Sequence, residues 1–229
     1  MPETVAKRVR LDRELIVEAA LELARSEPHA DVTFRRLGEA LGVDATAMYR
    51  HFRSKNELTR AALDRLRAMT TDYARSVPGT WREQLETHMM RFVEVSLEYP
   101  SIGAQAAVID PVGPGDTGTV EFLLEKLTEA GLEGGALIRA YAALSGFALS
   151  HGAALAHEVM VTPGAARDGS IPWISTFGTV RLSDYPFVDA HRDALLAIDG
   201  VTVYRAGIAA ILDSVERGTV ADVRSGPAA

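Results

Sequence analysis

The 229-residue sequence contains no cysteine, and only 7% of its residues are aromatic. Without cysteine the chain has no disulfides, no thiolate metal ligands and no cysteine nucleophile, and it suits a reducing compartment. Its most apolar stretch, residues 144–156, is shorter than the about 20 residues that a membrane span needs. No secretory signal is predicted at the N-terminus. We therefore expect a cytoplasmic protein with no membrane partner.

Charge is distributed unevenly along the sequence. The whole chain carries a formal charge of −7, which taken alone argues against binding to nucleic acid. Residues 1–67, however, hold 13 basic and 11 acidic side chains, whereas the remainder holds 11 and 20. The first segment, which begins with a short basic arm containing Lys7, Arg8 and Arg10, is therefore the part that can approach a polyanion.

Apolar residues recur at helical spacing along most of the sequence, without convincing strand alternation. Capping residues and helix breakers predict helices over about 12–26, 33–41, 45–52, 54–77, 81–99, 119–130, 136–161, 187–198 and 201–215, with a short one within 101–109. Ser54 and Glu57 predict a full capping box at the start of the fourth helix. Residues 110–118 and 162–186 are expected to be loops, and 218–229 a loose tail. The predicted fold is all-α.

Residues 33–57 have the pattern of a helix-turn-helix. Gly42 suits a turn that needs positive φ, and Gly38 leaves room where two helices cross closely. Five apolar residues are spaced to form a small core between the helices: Leu37, Leu41, Val43, Met48 and Phe52. A unit of this kind places its second helix in the major groove of DNA.

The second helix of this unit presents a face suited to DNA. Its small first turn lets the backbone approach base edges, and Thr46 can contact a base or a thymine methyl. Tyr49 and Arg50 follow one turn later, and Lys55 is placed to hold a phosphate near a helix N-terminus. Together with two arginines for the flanking phosphates, the candidate DNA-binding residues are Arg35, Arg36, Ala45, Thr46, Ala47, Tyr49, Arg50, His51 and Lys55.

These residues resemble the TetR (tetracycline-repressor-like) family of bacterial regulators. The matching motifs are Leu-Gly-Val at 41–43, Tyr-Arg-His-Phe at 49–52 and Lys-Asn-Glu-Leu at 55–58, although Gly38 stands where alanine is more usual. The resemblance covers about residues 12–65. It implies a homodimer with a DNA-binding domain (1–57) and a larger helical ligand-binding and dimerisation domain (58–217). It also implies a repressor of a palindromic operator, released when a small molecule moves the fourth helix.

In the larger domain, small residues on the helix from 136 and on the last helix allow close approach of other helices. Together with the resemblance, they favour dimerisation through both helices. We expect a mostly apolar effector in a pocket between the middle helices, with the long loop as a lid. The candidate pocket residues are His88, Met89, Phe92, Gln105, Phe122, Phe147, His151, Trp173 and Phe177.

Other functions are less well supported by the sequence. No metal-ligand motif or phosphate loop is present, so we expect neither a metal nor a cofactor. A helical hydrolase would have to use Ser145 or Ser150 with His151, but no nucleophile elbow surrounds either serine, and we expect no enzyme. The remaining alternative is a dimeric DNA-binding regulator without a ligand.

Overall fold

The computed structural model describes residues 11–110, 112–162 and 171–218. Within these ranges the chain forms nine α-helices: α1 (Arg13–Ser26), α2 (Phe34–Leu41), α3 (Lys55–Ser76), α4 (Trp81–Glu98), α5 (Pro100–Gly103), α6 (Pro114–Glu129), α7 (Gly134–Val161), α8 (Pro186–Ala197) and α9 (Gly200–Glu216). Two 3₁₀ segments add Ala45–Arg50 and Leu182–Asp184. The all-α prediction is confirmed. The basic arm and all of the predicted tail except Gly218 lie outside the described residues.

Two elements differ from the sequence prediction. The second helix of the helix-turn-helix is the 3₁₀ segment Ala45–Arg50, hereafter the reading segment, rather than an α-helix through residue 52. Helix α6 begins at Pro114, inside the stretch predicted as a loop. Proline suits the first turn of a helix because the N–H that it lacks would have no partner there. The proline and glycines of this stretch therefore start a helix instead of preventing one.

The capping box predicted at Ser54 forms only in part. The Ser54 hydroxyl accepts a hydrogen bond from the Glu57 N–H, as expected, but the Glu57 carboxylate accepts from the Arg53 N–H at 2.7 Å. A complete capping box occurs instead at Thr80 and Glu83, at the start of α4. Both arrangements satisfy backbone donors that have no partner within the helix.

The buried apolar residues form two clusters. One joins α1, α2, the reading segment and the first half of α3, and it continues into α4 and α5 through Val95, Tyr99 and Ile102. The other joins α4, α6, α7 and α9 around Phe122 and Tyr204. Helix α3 contributes to both clusters and therefore links the helix-turn-helix rigidly to the larger helical layer. Among the described helices, none has the length and apolar character needed to span a membrane.

Candidate DNA interface and buried cavity

Two glycines shape the helix-turn-helix. Gly42 has a φ of 66°, in the left-handed region that side chains disfavour. A Cβ atom on Gly38 would lie 2.7 Å from the carbonyl oxygen of Val43, so the close crossing leaves no room for alanine without movement. Leu37, Met48 and Phe52 are fully buried beneath the turn. The positive φ expected at Gly42 and the close helix crossing expected at Gly38 are both confirmed.

The reading segment exposes two of its larger side chains. Tyr49 is 61% exposed and rests edge-on against Phe34, with 4.9 Å between the ring centroids. Arg50 beside it is exposed. The N–H and the hydroxyl of Thr46 both donate to Asp44 Oδ1, at 2.7 and 2.6 Å, and these bonds lower the pKa of Asp44. The hydroxyl proton of Thr46 is therefore used within the reading segment. Ala45 and Ala47 are half-buried on the same segment.

The basic residues around the reading segment differ in how exposed their side chains are. Arg35 is largely exposed, and Lys55 lies 3.0 Å from the carboxylate of Asp31 in an exposed pair. Arg36 is mostly buried: it forms an ion pair with Glu27 and donates to the Asp31 carbonyl at 2.7 Å. Arg36 thus holds the α1–α2 connection in place, whereas the side chains of Arg35 and Lys55 remain at the surface.

Helix α1 supports the far end of the reading segment through Arg13. Its guanidinium donates to the His51 carbonyl and to the Glu57 carboxylate, the latter at 2.9 Å. The same group lies 4.1 Å above the ring of Phe52. His51, half-buried, is therefore held by its backbone at the junction with α3.

A cavity of about 30 Å³, partly open to the outside, lies between α3, α4, α6 and α7, and we call it the buried cavity because most of its lining residues are buried. Three residues predicted for the pocket, His88, Met89 and Phe92, line it. The structure adds wall residues that the sequence analysis did not assign to a pocket, including Arg67, Thr119 and Ser145. The sequence could not group these three polar residues, because they lie on three different helices and only tertiary packing brings them together.

His88 is the most unusual polar residue of this cavity. It is 3% exposed, and burial together with the nearby positive charge of Arg67 lowers its pKa to about 3. Its Nε2 lies 3.3 Å from the Thr71 hydroxyl, which lies 2.8 Å from the Thr119 hydroxyl. Among the buried side-chain atoms of the described residues, His88 Nδ1 and Ser145 Oγ have no hydrogen-bond partner. Both residues line the cavity, so its wall contains two side chains that each have an unsatisfied polar atom.

The remaining pocket candidates occupy other places. Phe122 is buried behind His88, with 5.3 Å between the ring centroids, and Gln105 is half-buried after α5. Phe147 packs against His151 and Tyr204, in the layer between α7 and α9. These aromatic residues belong to packing around the cavity rather than to its wall.

Other predicted pocket residues lie at the long loop, beside a second cavity. Trp173 stacks almost parallel on His151, with 5.1 Å between the ring centroids, and both border a separate cavity of about 140 Å³. His151 Nε2 also lies 3.3 Å from the Gly200 carbonyl. Phe177 is half-buried farther along the loop. Of the nine predicted pocket residues, three thus line the first cavity, His151 and Trp173 line the second, and the other four line neither.

The two serines and the histidine that a hydrolase would use have different surroundings. Ser145 lines the buried cavity, Ser150 is exposed, and His151 is engaged with Gly200 and Trp173. Across the described ranges, neither serine hydrogen-bonds to His151, and no group of three or more His, Asp or Glu side chains is placed to hold a metal.

Comparison with known proteins agrees with the geometry. Residues 16–62 match the family model for bacterial regulatory proteins of the tetR family. The chain is 27% identical to the tetracycline repressor class A from transposon 1721 of Escherichia coli, over 91% of this chain and 92% of that protein. It is 30% identical to the class D repressor of Escherichia coli, over 71% and 76%. The crystal structure of the Streptomyces coelicolor TetR family protein ActR in complex with actinorhodin has the same fold, with a TM-score of 0.70, 19% identity and coverage of 92% and 99%.

Proposed function

The chain belongs to the TetR family of bacterial transcriptional regulators, and from this premise we propose that it is a homodimeric repressor of a palindromic operator. We further propose that a small, mostly apolar molecule entering the buried cavity releases the operator. The observation that carries this proposal is the position of α3, which borders the cavity through Arg67 and Thr70 and begins directly after the reading segment.

For DNA reading we propose that Tyr49 and Arg50 contact the major groove, with Ala45, Thr46 and Ala47 allowing close approach. Arg35 and Lys55 contact phosphates, whereas the mostly buried Arg36 holds the α1–α2 connection in place. A single segment makes few contacts, so specific binding needs two of them about one DNA turn (34–36 Å) apart. This requirement supports a dimer.

The proposed dimer surface is the outer face of α7 and α9. Small residues are exposed there: Ala142, Ala143, Gly146, Ser150 and Ala154 on α7, and Ala206 and Ala210 on α9. Such residues let two helices of a partner pack closely across a two-fold axis. Gly207 does not belong to this surface, because a Cβ atom there would lie 2.1 Å from the Phe147 ring of the same chain.

Coupling between effector and operator follows from the size of the cavity. At about 30 Å³ it is far smaller than sites for organic ligands, so an effector must separate the helices that surround it. Displacement of α3 also displaces the reading segment. An effector acts only if it binds this displaced state more tightly, and a coupling of about 1–3 kcal/mol would lower operator affinity roughly 5- to 150-fold.

A thermal-shift screen of lipophilic compounds, followed by operator-binding measurements with each hit, tests the proposal. Stabilising compounds are expected to weaken operator binding and to lose their effect when the cavity is filled by Ala148→Phe. Compounds that occupy the cavity in a crystal and leave operator affinity unchanged would favour the alternative of a DNA-binding regulator without an effector.

A further inference from the structure

We propose that the effector carries a hydroxyl or N–H donor, as a phenol or an enol does, and donates it to the unprotonated Nδ1 of His88. This inference rests on the proposed function, since it concerns the ligand of the same cavity. It names the chemical class that the otherwise apolar site selects.

The hydrogen bonds behind His88 determine which ring nitrogen is protonated. The Thr119 hydroxyl lies 2.9 Å from the Gly115 carbonyl and can only donate to it. We assign the single Thr119 proton to this carbonyl. The proton between the two threonine hydroxyls, which either of them could supply, then comes from Thr71 and leaves the Thr71 oxygen as an acceptor towards His88 Nε2. With this assignment Nε2 carries the proton of the neutral ring, and Nδ1 is a bare acceptor.

A bare acceptor in this position favours a ligand that donates. His88 Nδ1 is buried without a partner, and a buried polar atom left unsatisfied is costly. Burial and the nearby guanidinium of Arg67 oppose protonation of the imidazole. Nδ1 therefore does not take up a proton and stays an unsatisfied acceptor. A neutral donor from the ligand satisfies Nδ1 without adding positive charge.

Two further polar groups suit the oxygen of such a ligand. Ser145 Oγ is also unpartnered, and its hydroxyl can donate to a phenolic oxygen or to a neighbouring carbonyl. The Arg67 guanidinium is only 14% exposed and is held 3.0 Å from Asp116. An acceptor on the ligand would compete with Asp116 for Arg67, and this contact joins α3 to α6.

The apolar walls of the cavity determine which ligand skeleton fits. Met89, Phe92 and Leu123 supply apolar walls, and the present volume matches about one water molecule. An aromatic ligand must turn the flexible Met89 side chain aside, so an apolar ring bearing one donor fits better than a strongly polar compound.

The test compares 2-naphthol with 2-methoxynaphthalene, which has nearly the same shape and no donor. Calorimetric titration at pH 7 is expected to show about tenfold tighter binding of 2-naphthol to the native protein, as one buried hydrogen bond provides. In His88→Phe this preference is expected to disappear, whereas Met89→Leu, a matched change in the apolar wall, is expected to retain it.

A measurement on the native protein keeps the inference open to refutation if His88→Phe fails to fold. Nitrogen NMR of the imidazole is expected to show a proton on Nε2 and none on Nδ1, and a proton on Nδ1 would overturn the inference. Equal binding of the two probes, or binding of neither to the native protein and to the enlarged cavity of Met89→Ala, would also overturn it. Operator release by compounds without a donor would overturn this inference but support the proposed function. Selective binding of 2-naphthol without operator release would support recognition of the donor by His88 but overturn the proposed function.

Discussion

The carboxylate of Asp64 on α3 accepts a hydrogen bond from the backbone N–H of Asp116 on α6, with 2.7 Å between the two atoms. The side chain of Asp116 in turn pairs with Arg67, one turn farther along α3. Gly115 permits this close approach, because a Cβ atom there would lie 2.1 Å from the Asp64 carbonyl oxygen. The first turn of α6 is thus fastened to the helix that carries the reading segment.

Replacing Asp64 with alanine is expected to destabilise the protein, because the first turn of α6 loses its only side-chain cap among the described contacts. Loss of such a cap costs about 1 kcal/mol, which for a protein of this size lowers the Tm by roughly 2–4 °C. Thermal denaturation of the purified protein measures the change. Asp72→Ala, an exposed change on the same helix, is the control, and equal Tm values for both variants would contradict the prediction.

Substitutions in the reading segment are expected to separate specific from non-specific binding. Arg50→Ala should lower affinity for the operator by about 1–3 kcal/mol and relax its sequence preference. Lys55→Ala should weaken binding to every sequence and reduce the salt slope by about 1. Titrations of operator and random DNA at several salt concentrations measure both effects. Arg192→Ala, at an exposed position of α8, serves as control, and an operator affinity unaffected by Tyr49→Ala, Arg50→Ala and Lys55→Ala combined would refute the assignment.

The helix-turn-helix was predictable because its determinants are local. Gly42 marks a turn, Asp44 and Thr33 cap the following segments, and the apolar spacing identifies the buried face. The same local rules misjudged Pro114, which starts α6 although the surrounding prolines and glycines predicted a loop. There the contacts of Gly115 with α3 decide the structure, and they join positions about 50 residues apart.

The cavity was only partly predictable. The sequence singled out His88 as a large polar residue on a predicted helix, but it offered no reason to connect His88 with Thr71, Thr119 or Ser145. These residues lie on four different helices, and their contacts depend on helix crossing. Phe147 and Trp173 were predicted for the same pocket, yet they pack elsewhere.

A charged side chain on the outer face of α7 is expected to separate the proposed dimer. Nothing lies within 4 Å of a Cβ atom at Gly146, so Gly146→Arg should leave the single chain folded. Across a helix–helix interface the same side chain would have no room, and the variant should be a monomer with little operator affinity. Sedimentation and operator titration test this, with the exposed Thr128→Arg on α6 as control. A monomeric native protein would refute the dimer itself.

Acidification is expected to destabilise the protein through His88. Burial and the Arg67 charge lower its pKa from 6.5 to about 3, so the unfolded chain binds a proton below about pH 6.5 that the folded chain does not accept. Because the unfolded state binds more protons, the free energy of unfolding falls as the pH falls from about 6.5 towards 3. Between pH 7 and pH 5.5 this single group should remove about 1 kcal/mol.

Urea denaturation of the native protein and of His88→Phe at several pH values isolates this contribution. The window above pH 5.5 matters, because the capping carboxylates of Glu83 and Asp199, whose pKa values are lowered by their hydrogen bonds, stay ionised there. Replacing His88 with phenylalanine should make the profile less steep in this window and leave the contribution of His151, whose pKa burial also lowers, whereas His191→Phe at an exposed position of α8 should leave the profile unchanged. A profile that His88→Phe does not alter would mean that the folded protein accepts a proton at His88. It would also remove the neutral acceptor on which recognition of a hydroxyl-bearing effector depends.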